Sequence, residues 1–575
     1  MRWPGTCLRL AAGLLLLAML AKVHAVEVTL CNHEAQLSSG PNVMNLNTAL
    51  AIGGHITFHC PGPSTLLVAT THFIAKDTDI DGDNVVTLDG GNNRFGMFSG
   101  ANDSVAFGLT RLKVVRGGRA PNPSIPGQVT NLGRNLGGVV EGKFRAVELQ
   151  TVSIEHSWFA VLLTAGTLRV RDSSFANNDG SVLFAGSIDV GEHSRFTANR
   201  GSPLQGRTVV IDRSDFFSNS EPVRVTEGSL KVYGANFTNN GATGSGGALR
   251  TGVDATIEES DFRNNIADDG GAIFIGAPAG KVVLRAVRFE GNSSRNRGGA
   301  IALEHSEGRL DVTMAHVTFQ DNRAVSGGAV SLERGFRNNA TLNGGAVAFV
   351  GNVATDSGGG IFAPNASVQL SRGVFIGNRA GNTGGAIAAF QQGDRVTSLA
   401  NSLLVRNTAT QGAAFWGNAA TFINTTIADN NGTAVWPQPV PFGPLPGKAR
   451  SFPIKFANTI VTGAALGPDA CGQPIATAPY TTGGTNLQFP GASCGSELTI
   501  AYPLLGAYYV PFFLSPALNA GSNAICDAPP ISHTDVYNTR RPRGGVACAI
   551  GAVEGDISQL VRRWTHGERN LLFRR

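Results

Sequence analysis

Residues 237–248 read Phe-Thr-Asn-Asn-Gly-Ala-Thr-Gly-Ser-Gly-Gly-Ala, and residues 262–272 read Phe-Arg-Asn-Asn-Ile-Ala-Asp-Asp-Gly-Gly-Ala. Both follow one pattern: Phe-x-x-Asn, a short polar run, then Gly-Gly-Ala. The pattern returns at Phe289/Asn292 with Gly298-Gly299-Ala300 and at Phe319/Asn322 with Gly327-Gly328-Ala329. It returns again at Phe349/Asn352 with Gly358-Gly359-Gly360 and at Phe375/Asn378 with Gly384-Gly385-Ala386. Weaker copies precede it (Phe175/Asn178, Phe196/Asn199, Phe216/Asn219) and follow it (Leu404/Asn407, Ile427/Asn430). The step is roughly 20 to 30 residues, a period that marks a solenoid whose repeats contact only their neighbours.

Each repeat is too short and too glycine-rich for a helix pair. Its apolar stretches, such as Val282-Val283-Leu284, are short and bounded by Asn and Gly, which reads as strands between tight turns. One coil of a parallel β-helix fits that length. Relative to each Phe, positions minus five (Val232, Ile257, Leu284, Met314) and minus two (Ala235, Ser260, Val287, Val317) are apolar or small. Minus five, minus two and zero therefore face inward, and the change of spacing predicts a corner between two short strands. Coils rise about 4.8 Å each, so Phe stacks on Phe, and Asn stacks on Asn. Asn tolerates a left-handed backbone at the turn, the Gly pair permits a sharp bend, and the following Ala points inward. The out-of-step copy at Phe336/Asn339 with Gly344-Gly345-Ala346 reads as an insertion within one coil. The expected fold is all-β, a right-handed parallel β-helix with an N-terminal cap and a small C-terminal closing module.

These paired Gly-Gly-Ala-Ile and Phe-x-x-Asn motifs resemble the polymorphic outer membrane protein repeats of bacterial surface proteins, over roughly residues 175–430. A second resemblance covers 457–554. Asn458-Thr-Ile460, Gly483-Gly-Thr-Asn486-Leu487, Ser515-Pro-Ala-Leu-Asn-Ala-Gly521, Thr534-Asp535, Arg540-Arg-Pro542 and Cys548-Ala-Ile-Gly-Ala-Val-Glu554 are similar to the choice-of-anchor Q module, which closes bacterial secreted β-helices. Asn519 and Ala549 stand where that family has Asp. The first resemblance implies an adhesin-like surface role, the second a secreted protein that a surface anchor often follows.

Taken in order, residues 1–25 read as a secretory signal: Arg2 and Arg9, an apolar run Leu10–Leu20, and Val23-His-Ala25 as cleavage site. Residues 26–75 are expected to cap the solenoid, 76–456 to form the β-helix, 457–555 the closing module and 556–575 a basic amphipathic tail. In that tail Ile557, Leu560, Val561 and Trp564 share a helical face, beside Arg562, Arg563, Arg569, Arg574 and Arg575. A long surface loop is expected over Gly117–Gly138. The five prolines of Trp436–Gly447 predict a segment outside the sheet, with Trp436 and Phe442 in it. After the signal no apolar run is long enough to span a membrane. The expected location is extracellular, free or associated with the outer cell surface, and the expected state is a monomer.

Past the signal six Cys remain, and export predicts disulfides. Nearest-neighbour pairing gives Cys31–Cys60, Cys471–Cys494 and Cys526–Cys548. Charged residues make up 15% of the chain and the net charge of +5 is scattered, which argues against a nucleic-acid partner. Asp77, Asp79, Asp81 and Asp83 have the alternation of a calcium loop, though Asn84 and Leu88 break the pattern further on. Calcium is thus the one cofactor the sequence raises. Gly491-Ala-Ser493-Cys-Gly495 has the letters of a nucleophile elbow without the helix that must follow one.

The residue before each Phe should face outward. Successive coils place Ser174, Arg195, Asp215, Asn236, Asp261, Arg288 and Thr318 there. Arg195, Asp215, Asn236, Asp261 and Arg288 are the candidate glycan-binding ladder. Two functions stay open. One is a non-catalytic, adhesin-like or structural surface protein whose faces bind a polysaccharide or a surface protein of a host or neighbour. The other is a polysaccharide lyase or glycoside hydrolase using Asp215 and Asp261.

Overall fold

The computed structural model describes residues 25–35, 43–91, 96–118, 137–276, 280–304, 309–332, 339–390, 395–438, 453–463, 469–472, 480–543 and 546–555. The signal reading, the body of the 117–138 loop, Phe442 and the tail therefore lie outside the described residues. The chain divides into two compact units, Met1–Gly206 and Arg207–Arg575. Both are parallel β-helix, built from parallel strand pairs between successive coils.

In the first unit, Val26–Val28 pairs with Gly54–Phe58, that strand with Thr78–Asp81, and that in turn with Ala106–Thr110. Residues 26–74 thus already contain rungs of the solenoid. With them is a helix, Leu46–Ile52, capped by Asn45 and burying Leu46, Ala49 and Leu50. Gly138–Gln150 continues the stack and pairs with Phe159–Arg171. Phe175 and Phe196 stack 4.8 Å apart at 11°.

The second unit carries the full repeat. From Phe216 through Phe237, Phe262, Phe289, Phe319 and Phe349 to Phe375, ring centroids lie 4.6 to 5.0 Å apart. The rings are nearly parallel and buried. Ile257, Ser260 and Phe262 are all buried, as are Leu284, Val287 and Phe289, so the inward positions are those expected. The corner between the strands is made by a left-handed residue three before the Phe: Glu259, Ala286, His316, Ala346 and Arg372 have φ of 49°, 52°, 56°, 55° and 54°.

The asparagine ladder differs from expectation in one respect. The left-handed residue of Phe-x-x-Asn is the third, as at Asn239 (φ 56°) and Asn264 (φ 54°), whereas the fourth is buried and hydrogen-bonded. Asn292 Oδ1 accepts from both the backbone N–H and Nδ2 of Asn265, while Asn292 Nδ2 donates to Phe262 O and Asn322 Oδ1. The same scheme repeats at Asn240, Asn265, Asn322, Asn352, Asn378 and Asn407. A buried carboxamide ladder is stable because every polar group in it is satisfied.

The two glycines of each pair do different jobs. Gly270 is left-handed (φ 62°). A Cβ on Gly271 would lie 2.2 Å from the carbonyl of Gly299 on the next coil, so the second glycine permits close approach of backbones. Gly344-Gly345-Ala346 is no extra turn. Gly344 and Gly345 pair with Met314 and Ala315 on one side and Leu370 and Ser371 on the other, and occupy ordinary strand positions.

Trp436-Pro437 also departs from expectation. Val435–Pro437 pairs with Phe415–Gly417, with Pro437 as its last residue, where the missing N–H costs least. The disulfides are Cys31–Cys60, Cys471–Cys494 and Cys526–Cys548.

Residues 501–555 do more than follow the last coil. They fold back along the outer side of the sheet. Val510, Val536, Ala552 and Val553 pack on Ala348 and Val374, and Tyr509 packs on Leu403 and Val405. Polar contacts fix the docking: Asn401 Nδ2 donates to Thr534 O at 2.7 Å, and Tyr509 OH donates to Asp429 Oδ2 at 3.0 Å.

Candidate functional site

The outward column forms as a true ladder in the second unit. Asp215 sits beside Asn236, Asn236 beside Asp261, Asp261 beside Arg288 and Arg288 beside Thr318. Arg195 lies in the first unit, exposed, next to Ser174. One coil further on, the column turns apolar (Ala348, Val374, Leu403), and there the folded-back module covers it.

The polar rungs are already partnered. Asn236 Nδ2 donates to Asp215 Oδ1 at 2.8 Å. Arg263 Nη2 donates to Asp261 Oδ2 at 2.8 Å, and Glu290 stands 3.0 Å from Arg288 and 3.7 Å from Arg263. Opposite charges thus alternate along and across the strands. Such half-exposed pairs contribute little to stability, but they hold carboxylates, amides and guanidiniums in fixed register. Asn236 lies between Asp215 and Asp261, and each carboxylate has its own donor.

The four aspartates of the calcium pattern diverge onto separate partners. Asp79 meets His55 Nδ1 at 2.9 Å, Asp81 and Asp83 share Arg111, and Asp77 pairs with Arg145 at 3.1 Å. Thr78–Asp81 is a strand of the solenoid rather than a loop curled about an ion. Among the described residues no cluster of His, Cys, Asp and Glu is arranged to hold a metal. Ser493 Oγ accepts from the Cys471 backbone at 3.1 Å, its neighbour Cys494 is a disulfide partner, and no helix follows the strand.

Two carboxylate environments were not evident from the sequence. Burial pushes Glu141 up to about 7, against hydrogen bonds from the backbone of Gly138 and Gly96. Its place inside Val139-Val140-Glu141-Gly142 was the available signal: a carboxylate within an apolar strand. The second lies in the closing module. Arg541 is fully buried, donating to Ala549 O at 3.1 Å and Gly551 O at 2.8 Å. Asp535 accepts from the backbone of Tyr537, Thr539 and Glu554, and Glu554 accepts from Ala549 N. Burial raises Asp535 and Glu554 and lowers Arg541. The motifs Thr534-Asp535, Arg540-Arg541-Pro542 and Cys548–Glu554 thus meet in one buried network that sets the module's shape. Asn519 is exposed and left-handed, whereas Ala549 contributes only its backbone to that network.

Among the described residues no helix is long and apolar enough to cross a membrane. No protein-family model matches the chain, and no curated protein matches it.

Proposed function

We propose that this chain is an exported, surface-associated β-helix protein that binds glycans or partner surfaces and does not transform them. The observation that carries this reading is the ladder Asp215–Asn236–Asp261–Arg288, whose charges are paired side by side on an open sheet face. In this ladder Asp261 accepts from Arg263 and Asp215 from Asn236, so both carboxylates are held in fixed register on the face. Export is supported by three disulfides, which persist in oxidising compartments. The motif resemblances to the polymorphic outer membrane protein repeats and the choice-of-anchor Q module point the same way.

The test is a binding screen of the purified protein against acidic and neutral polysaccharides, with and without calcium, repeated with the Asp215→Ala/Asp261→Ala double variant. Binding by the native protein that the variant loses supports the reading. Absence of binding to every glycan leaves the chain a structural or protein-binding solenoid.

A further inference from the structure

A cleft of about 380 Å³ opens where the closing module rises from the sheet. That volume lies within the range of about 300–1,000 Å³ typical of ligand sites. Its floor is built from two columns of the sheet. One runs Thr313, Asn343, Gln369, Ser398, paired rung to rung. The other runs Gly345, Ser371, Ala400, paired in the same way. A row of hydrogen-bonding side chains therefore stands beside a row of small ones, and Pro530 of the module forms a wall. The trench has ends. Before Gly345 the small column continues to Ala315 and then to Arg285, held to Glu258 at 2.6 Å. At the other end Ala400 is itself buried against Cys526, Ile531 and Cys548, and Ile423 one coil later packs on the same cluster. Gly345, which breaks the repeat in the sequence, is what deepens the floor. It has no left-handed φ, and a Cβ there would find its nearest atom, Ser371 Oγ, at 3.6 Å, so the strand does not require glycine.

We infer that this trench is a binding site for a neutral, linear oligosaccharide. No lining side chain is charged, which disfavours an ionic ligand. Hydroxyls and carboxamides each donate and accept, matching a ligand whose own polar groups are hydroxyls. They recur once per coil, at about 4.8 Å, so a polymer with a short repeat meets like groups at each step. A peptide strand would add to a sheet edge, and this is a sheet face whose backbone is already paired. The inference rests on the glycan-binding reading above but places the neutral ligand away from the Asp215–Arg288 column.

The test is calorimetric titration of the full chain with a chain-length series of uncharged cello-, manno- and chito-oligosaccharides. Three variants accompany it: Asn343→Ala/Gln369→Ala, Gly345→Leu and Asp215→Ala/Asp261→Ala. Affinity should grow with chain length until the ligand spans the four rungs. It should fall about tenfold or more in the first variant, the loss of one or two hydrogen bonds. Binding should vanish in Gly345→Leu with an unchanged thermal melt, and persist in the aspartate variant. Binding lost only in the aspartate variant overturns the trench and spares the general reading. No binding to any of these uncharged oligosaccharides overturns the trench, while the general reading is judged separately by the screen against acidic and neutral polysaccharides described above.

Discussion

Replacing Asn292 by Ala tests the carboxamide ladder at its centre. The side chain is fully buried and makes four hydrogen bonds. Its loss strands the backbone N–H and one amide hydrogen of Asn265, both within a buried column that excludes water. Each unsatisfied buried group costs about 1–3 kcal/mol, so the two together cost about 2–6 kcal/mol. The exposed Asn236 gives the control, since it makes one side-chain bond to Asp215, and its change to Ala should cost no more than about 0.5 kcal/mol. Solenoids open locally, so native-state hydrogen exchange is the appropriate assay. A 3 kcal/mol loss confined to these coils speeds exchange of the Asn265 amide by about a hundredfold, at tenfold per 1.4 kcal/mol. A change below about 1 kcal/mol, or an equal effect of Asn236→Ala, would refute the argument that the ladder is held by mutual satisfaction.

Other expectations follow from the same geometry. Gly271→Ala should destabilise by about 3 kcal/mol, because its Cβ falls 2.2 Å from the Gly299 carbonyl, while Gly345→Ala should be nearly neutral; urea unfolding of both checks this. Glu141 has a folded pKa of about 7 against an ordinary value of 4.5, so between these values the folded state holds the extra proton. Stability of the first unit should therefore fall as pH rises through that window, and Glu141→Gln should remove the slope in thermal melts. Opening Cys526–Cys548 by changing both to Ser should cost about 3 kcal/mol by loop entropy. Limited proteolysis should then cut within 501–555 while the coils from Val223 to Val405, which contain no cysteine, stay resistant.

The solenoid was legible because stacking repeats each physical demand once per coil. Phe262, Asn265, Gly271 and Ala272 recur as ladders in the sequence for the same reason that they recur in space. The disulfides were legible from the six cysteines that remain past the signal, each taken with its nearest neighbour. Features that occur once gave no repeat to read. The burial of Arg541 among carbonyls 8 and 10 residues away leaves no periodic trace. The fold-back of residues 501–555 did leave one: the outward column changes from Asp261, Arg288 and Thr318 to Ala348, Val374 and Leu403. Apolar residues at outward positions mark a covered face. The left-handed corners fall on residues as different as Glu259, His316 and Arg372, so residue type could not reveal them. For the candidate site, the ladder's register was readable, but its pairing partners Arg263 and Glu290 lie in the adjacent outward column and became evident only in the structure.

The most direct test of the central claim, that the charged sheet face binds without reacting, is product analysis of a polysaccharide that the protein demonstrably binds. Prolonged incubation should yield no new reducing or unsaturated ends above a protein-free control, while the bound complex persists. New ends that vanish in the Asp215→Ala/Asp261→Ala variant would contradict the claim and make this face an active site.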